Sequence, residues 1–133
     1  MDASLIFAQF MSGLSRGMML FLIASGLSLI FGVMNILNFA HATLWLVGAY
    51  LCYSFWYLMQ DYGFGMWLSI PLAALTLAAI GGIIEVVLIR RVYKRELPEQ
   101  LLLTYAMVLV LGDLIKIVWG VEDKLIERPP LVA

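Results

Sequence analysis

No aspartate, glutamate, lysine or arginine occurs from Gly17 through Gln60, and charged residues make up only 13% of the 133-residue chain. An ordinary soluble domain carries roughly 25%. With 64% hydrophobic residues and a mean hydropathy of +1.00, the chain has more apolar surface than a soluble fold of this size can hide. The scarcity of charge therefore excludes a soluble globular domain and points to a membrane. Cysteine occurs once, at Cys52, and histidine once, at His41. That excludes an intrachain disulfide and a metal site built from clustered His and Cys, and Cys52 reads as a small buried hydrophobe. A glycine-rich phosphate loop and a serine in a G-x-S-x-G setting are also missing. No catalytic residue, metal or cofactor is expected, and the chain is not read as an enzyme. A net charge of -1 gives no sign of a nucleic-acid partner. The residues before Arg16 carry Asp2 but no Lys or Arg, the wrong flank for a secretory signal, so the first apolar segment is read as retained.

What is present is a set of apolar runs. Gly17 to Gln60 as one helix would extend about 66 Å at about 1.5 Å per residue, roughly twice the hydrocarbon thickness of about 30 Å. It must turn back or break, and its one polar cluster is Asn35-Ile-Leu-Asn38-Phe-Ala-His41. Four spans follow from the pattern: Gly13 to Met34, Ala42 to Met59, Met66 to Ile89 and Pro98 to Trp119. The expected fold is all-α, a multi-pass helix bundle in lipid with a break at 35–41. The densest cations, Arg90, Arg91, Lys94 and Arg95, form a basic connector between the third and fourth spans. The positive-inside rule puts it in the cytoplasm and both chain ends outside, although Arg16, Lys116, Lys124 and Arg128 then lie on the outer side. Tyr53, Trp56, Tyr57, Tyr62 and Trp67 around Asp61 suit an aromatic belt at one interface. The tail from Glu122 reads as solvated and non-helical.

Small residues recur at helical spacing. Gly13 and Gly17 form a G-x-x-x-G; Ala24, Ser28 and Gly32 form a stripe in the first span, and Ala74, Ala78 and Gly82 another in the third. Such stripes let helices approach closely in lipid and predict a packed bundle. Gly48-Ala49-Tyr50 is a small-small-aromatic patch that suits close packing, and Pro71 is tolerated early in its span.

Among polar residues, the break at Asn35, Asn38, Phe39, Ala40 and His41 stands first. A helix starting near Asn38, capped by it, would present backbone N–H groups and a positive dipole end to a carboxylate, as broken helices do in transporters. The alternative is an ordinary cytoplasmic turn with an interfacial histidine. Glu85 lies inside the third span, where a carboxylate is a functional hypothesis by default. Arg90 and Arg91 are off the i+4 row that would pair them with it, and an anchoring or structural bond is the favoured reading. Asp113 and Lys116 form an i,i+3 pair read as structural.

The stretch from Asn35 through Asn38-Phe-Ala-His41 to Gly48-Ala-Tyr50 resembles the signature of permease subunits of branched-chain amino-acid ABC importers. Gly26 to Gly32, Glu85 with Arg90, Arg91 and Arg95, and Leu103-Thr104 with Trp119-Gly120 extend the similarity over the chain. The resemblance implies a channel half in the cytoplasmic (inner) membrane that receives an amino-acid substrate from an extracytoplasmic binding protein. Its partners would be membrane lipid, separate ATPase subunits and a second permease subunit. Urea importers share this architecture. Ala42 stands where the family usually has glycine. Family permeases are about twice this length, with the ATPase-coupling loop in the second half, so the chain is expected to be an N-terminal part, a truncated product or half of a split permease. Two other classes stand behind it: a small helical membrane scaffold and, last, an ion or proton channel using Glu85 and Asp113.

Overall fold

A computed structural model describes residues 2–126. Among them there is no strand, and helices α1 (Ala3–Met34), α2 (Ala40–Met59), α3 (Gly65–Val87) and α4 (Leu97–Trp119) follow in order, with a 3-10 turn at Ile89–Val92. All four helices are long and apolar enough to cross a membrane. The chain is an all-α, multi-pass membrane protein. Most of its large hydrophobic side chains are exposed, as expected where lipid and not water is the solvent.

α1 starts at Ala3, ten residues before the start expected from the sequence. Nothing from Ala3 to Phe10 stops a helix: the run contains no proline or glycine and ends only in a G-x-x-x-G. At 32 residues it extends about 48 Å. Arg16 sits midway on it and is exposed, with a stem long enough to carry its charge toward the interface. At the other end Asn35 closes the helix in the left-handed region (φ 51°, ψ 33°), its N–H donating to the Phe31 carbonyl at 2.9 Å. Asparagine is one of the few residues that tolerates that conformation.

α2 is central. It packs mainly on α3 and next on α4, while α1 touches α2 alone and buries no residue fully. Val47 and Ala73 are buried between α2 and α3, and a Cβ added at Gly48 would lie 2.8 Å from Leu77 Cδ2, so the glycine is what admits that leucine. The fully buried Ser69 Oγ lies 3.6 Å from Cys52 Sγ; Cys52 is half-buried in this contact. Toward the end of α4, Trp119 donates Nε1–H to Ser54 Oγ at 2.7 Å and its ring lies 5.4 Å from that of Tyr50. The buried apolar cluster, Ile36, Ala40, Ile89 and Met107, is at the opposite end, where the break meets the 3-10 turn and α4.

The two small-residue stripes are largely exposed among the described residues, although Ala74 borders a pocket between α2 and α3. Ala24, Ser28 and Gly32 are exposed on α1, whose partly buried positions are Ile23, Gly26, Leu27 and Ile30; Ala74, Ala78 and Gly82 are likewise exposed on α3. The contacts lie beside these stripes: α1 meets α2 where Gly26 admits His41, and α3 meets α2 through the small, buried Ser69 and Ala73, with Gly48 of α2 admitting Leu77. After α4 the chain is non-helical to Ile126 and mostly exposed. Asp123 to Ile126 border a groove of about 390 Å³ with Leu46, Ala49, Tyr50 and Tyr53 of α2. Arg128 and the rest of the tail lie outside the described residues.

Candidate functional site

The segment between α1 and α2 is a buried interruption and not a surface turn. Ile36 and Asn38 are 3% and 8% exposed and Ala40 is fully buried. A buried, irregular backbone must find partners for its polar groups, and they come from α4. Gln100, 4% exposed, accepts the Leu37 N–H at 3.4 Å through Oε1 and donates Nε2–H to the Arg95 carbonyl at 3.1 Å. The fully buried Thr104 hydroxyl lies 2.9 Å from the Gln100 carbonyl and 3.3 Å from the Leu37 carbonyl, so its one proton is shared between its own helix and the break. Gln100 and Thr104, one turn apart, thus hold both polar groups of a single residue in the break.

Asn38 takes part locally. Its Oδ1 accepts the Ala40 N–H at 3.0 Å, and its backbone carbonyl accepts the His41 N–H at 3.2 Å. Asparagine therefore caps α2 through an Asx turn two residues before the first helical position, close to the expected cap. These bonds occupy two of the N–H groups that an incoming carboxylate would need, and Ala40 is enclosed by apolar side chains. What the break leaves available are the exposed Phe39 and Asn35 and the half-buried imidazole of His41. That imidazole lies against α1: a Cβ built at Gly26 would come 2.7 Å from its Nε2. The lone histidine of the chain thus sits between the two helices that the break separates, where only a glycine leaves room for it.

The basic connector is at the same end. Arg90, Arg91, Lys94 and Arg95 are exposed and begin in the 3-10 turn whose Ile89 belongs to the buried cluster with Ile36. Glu85 pairs with Arg90 after all, with Arg90 Nη2 3.1 Å from Oε2 and Nε 3.3 Å from Oε1. The i+4 rule does not apply because α3 ends at Val87, and the tighter turn brings residue 90 back over residue 85. The Tyr93 hydroxyl donates to the same carboxylate at 2.5 Å, and this bond to an anion pushes the phenol above its ordinary value. Asp113 and Lys116 make the expected pair at 3.1 Å, exposed on α4.

The roles of Gln100 and Thr104 were not anticipated from the sequence. The available signal was a pair of uncharged polar residues at i,i+4, Gln100 and Thr104, which places both on one face of α4.

Residues 9–127 match the family described as branched-chain amino acid transport system, permease component. The chain belongs to that family. No curated protein and no solved structure matches it. A member of this family is a component of a transport system, and the four membrane-length helices agree with that. The permease component thus carries an uncharged, hydrogen-bonded break between its first two spans, fastened from the fourth.

Proposed function

We propose that this permease component works in an importer of the inner membrane, that branched-chain amino acids are its substrate, and that ATP hydrolysis on separate subunits drives it. A second permease subunit and an extracytoplasmic binding protein complete the assembly, and the chain supplies the N-terminal part of the permease domain. The observation that carries the reading is the break itself. Irregular backbone that protein encloses must find its hydrogen-bond partners there, and here α4 holds the break in place while His41, Phe39 and Asn35 stay accessible. His41 is the polar group offered to the path, in preference to the α2 N-terminus, whose first donors are taken. The break and the basic connector share one end of the bundle, so a cytoplasmic Arg90 to Arg95 makes the break cytoplasmic too and puts the Asp61 turn and the α1 start outside.

Uptake of labelled leucine into vesicles holding the complete transporter tests the coupling: it should require ATP on the connector side and the binding protein on the other. Uptake that proceeds unchanged without either partner would overturn the importer reading. Impermeant thiol labelling at positions 2, 61 and 94 tests the orientation, and reaction of position 94 from outside would reverse it.

A further inference from the structure

α3 and α4 are joined through the 3-10 turn but make no close backbone approach to each other. Between them lies an entirely apolar groove of about 260 Å³, bordered by Ile84, Leu88, Leu103, Ala106, Met107 and Val110. Its connector end is charged. Arg90 is engaged by Glu85 and Arg95 lies 3.6 Å from Glu99, whereas Arg91 and Lys94 are exposed and join no ion pair among the described residues. Arg91 donates its backbone N–H to the Leu88 carbonyl at 3.2 Å. Residues three apart eclipse one another in a 3-10 turn, which stacks Arg91 directly beyond the groove residue Leu88. Glu96, also exposed, offsets part of this charge, and a positive surplus remains on the connector that follows the groove residue Leu88.

We propose that this groove, with Arg91 and Lys94, is a binding site for an anionic phospholipid. One acyl chain lies along Leu88, Leu103 and Ala106, and the phosphate meets the two unpaired cations at the level where headgroups sit. Apolar lining without a polar atom suits a hydrocarbon chain, and a pair of unneutralised cations at one end suits an anionic headgroup over a zwitterionic one. The proposal concerns a lateral face of the bundle and does not depend on the direction or the substrate of transport.

The test is lipid retention by the complete transporter, taken from nanodiscs of equal phosphatidylglycerol and phosphatidylcholine and read by native mass spectrometry. The unaltered protein should retain phosphatidylglycerol preferentially. Arg91→Gln and Lys94→Gln should each lower that preference by about fivefold, Lys116→Gln should leave it unchanged, and Ala106→Phe should reduce retention of both lipids by filling the groove. Both charge substitutions are on exposed side chains, so the result does not hinge on how Ala106→Phe folds. Equal retention of the two lipids by the unaltered protein, or an undiminished preference in the Arg91→Gln/Lys94→Gln double variant, would overturn the proposal. So would a photo-crosslinker at Leu103 that captures another protein helix in place of lipid.

Discussion

Two short connectors join neighbouring spans in this permease component, and they are built in opposite ways. The segment between α1 and α2 is uncharged, buried at Ile36 and Asn38, and held by side chains of a helix more than sixty residues away in sequence. The segment from Gln60 to Phe64 carries Asp61 and is exposed throughout. It closes on itself through the Tyr62 N–H to Met59 carbonyl bond at 3.0 Å and the Gly65 N–H to Tyr62 carbonyl bond at 2.8 Å. An exposed turn can leave its remaining polar groups to water or headgroups. A buried one cannot, so its conformation depends on the rest of the fold.

That difference gives an ordered set of expectations for stability in detergent, measured by thermal or chemical unfolding. Gln100→Leu should be the most damaging, at about 3 kcal/mol, because it removes the partners of both the Leu37 N–H and the Arg95 carbonyl and leaves buried groups unpaired. A cost under about 1 kcal/mol would mean that the break satisfies itself locally, as the exposed turn does. Gly65→Ala should follow, at about 2 kcal/mol, since its Cβ would run into the Met59 carbonyl oxygen, a backbone atom that cannot move aside; Asp61→Asn in the same turn should stay within about 0.5 kcal/mol. The exposed connector would then be insensitive to charge, while the buried glycine that follows it, Gly65, is sensitive to shape. The smallest definite effect is expected for Gly26→Ala, at about 1 kcal/mol, through displacement of the His41 ring. Most of it should be recovered in the Gly26→Ala/His41→Ala double variant. If the two changes simply add, the imidazole is free to move and the close approach of α1 and α2 is not set by it.

Both connectors were visible in the sequence, for a physical reason. Their polarity contrasts with long apolar runs, but the sequence left 35–41 open between an enclosed break and a surface turn, and burial of Ile36 and Asn38 against α4 is what separates it from the exposed turn at Asp61. The spans were legible to within a few residues except at the start of α1, where apolar helix-forming residues continue past the length a membrane needs. What could not be read was which residues meet. The Glu85–Arg90 pair depends on α3 stopping at Val87, and the hold on Leu37 depends on α4 folding back against the break; neither is encoded in local spacing. The small-residue stripes show the same limit, since spacing along a helix fixes a face without fixing what that face touches.

The central claim is that the break borders the transport path while the exposed turn does not, and thiol accessibility in the complete transporter tests it directly. Cys52 is first replaced by alanine, and single cysteines are then placed at His41 and, for comparison, at Tyr62. A cysteine at position 41 is expected to react slowly, to react more slowly still with saturating substrate present, and to lose most uptake once modified, while one at position 62 reacts readily with uptake retained. Unchanged reactivity of position 41 in the presence of substrate, together with uptake that survives its modification, would contradict the claim and leave the break a purely structural joint.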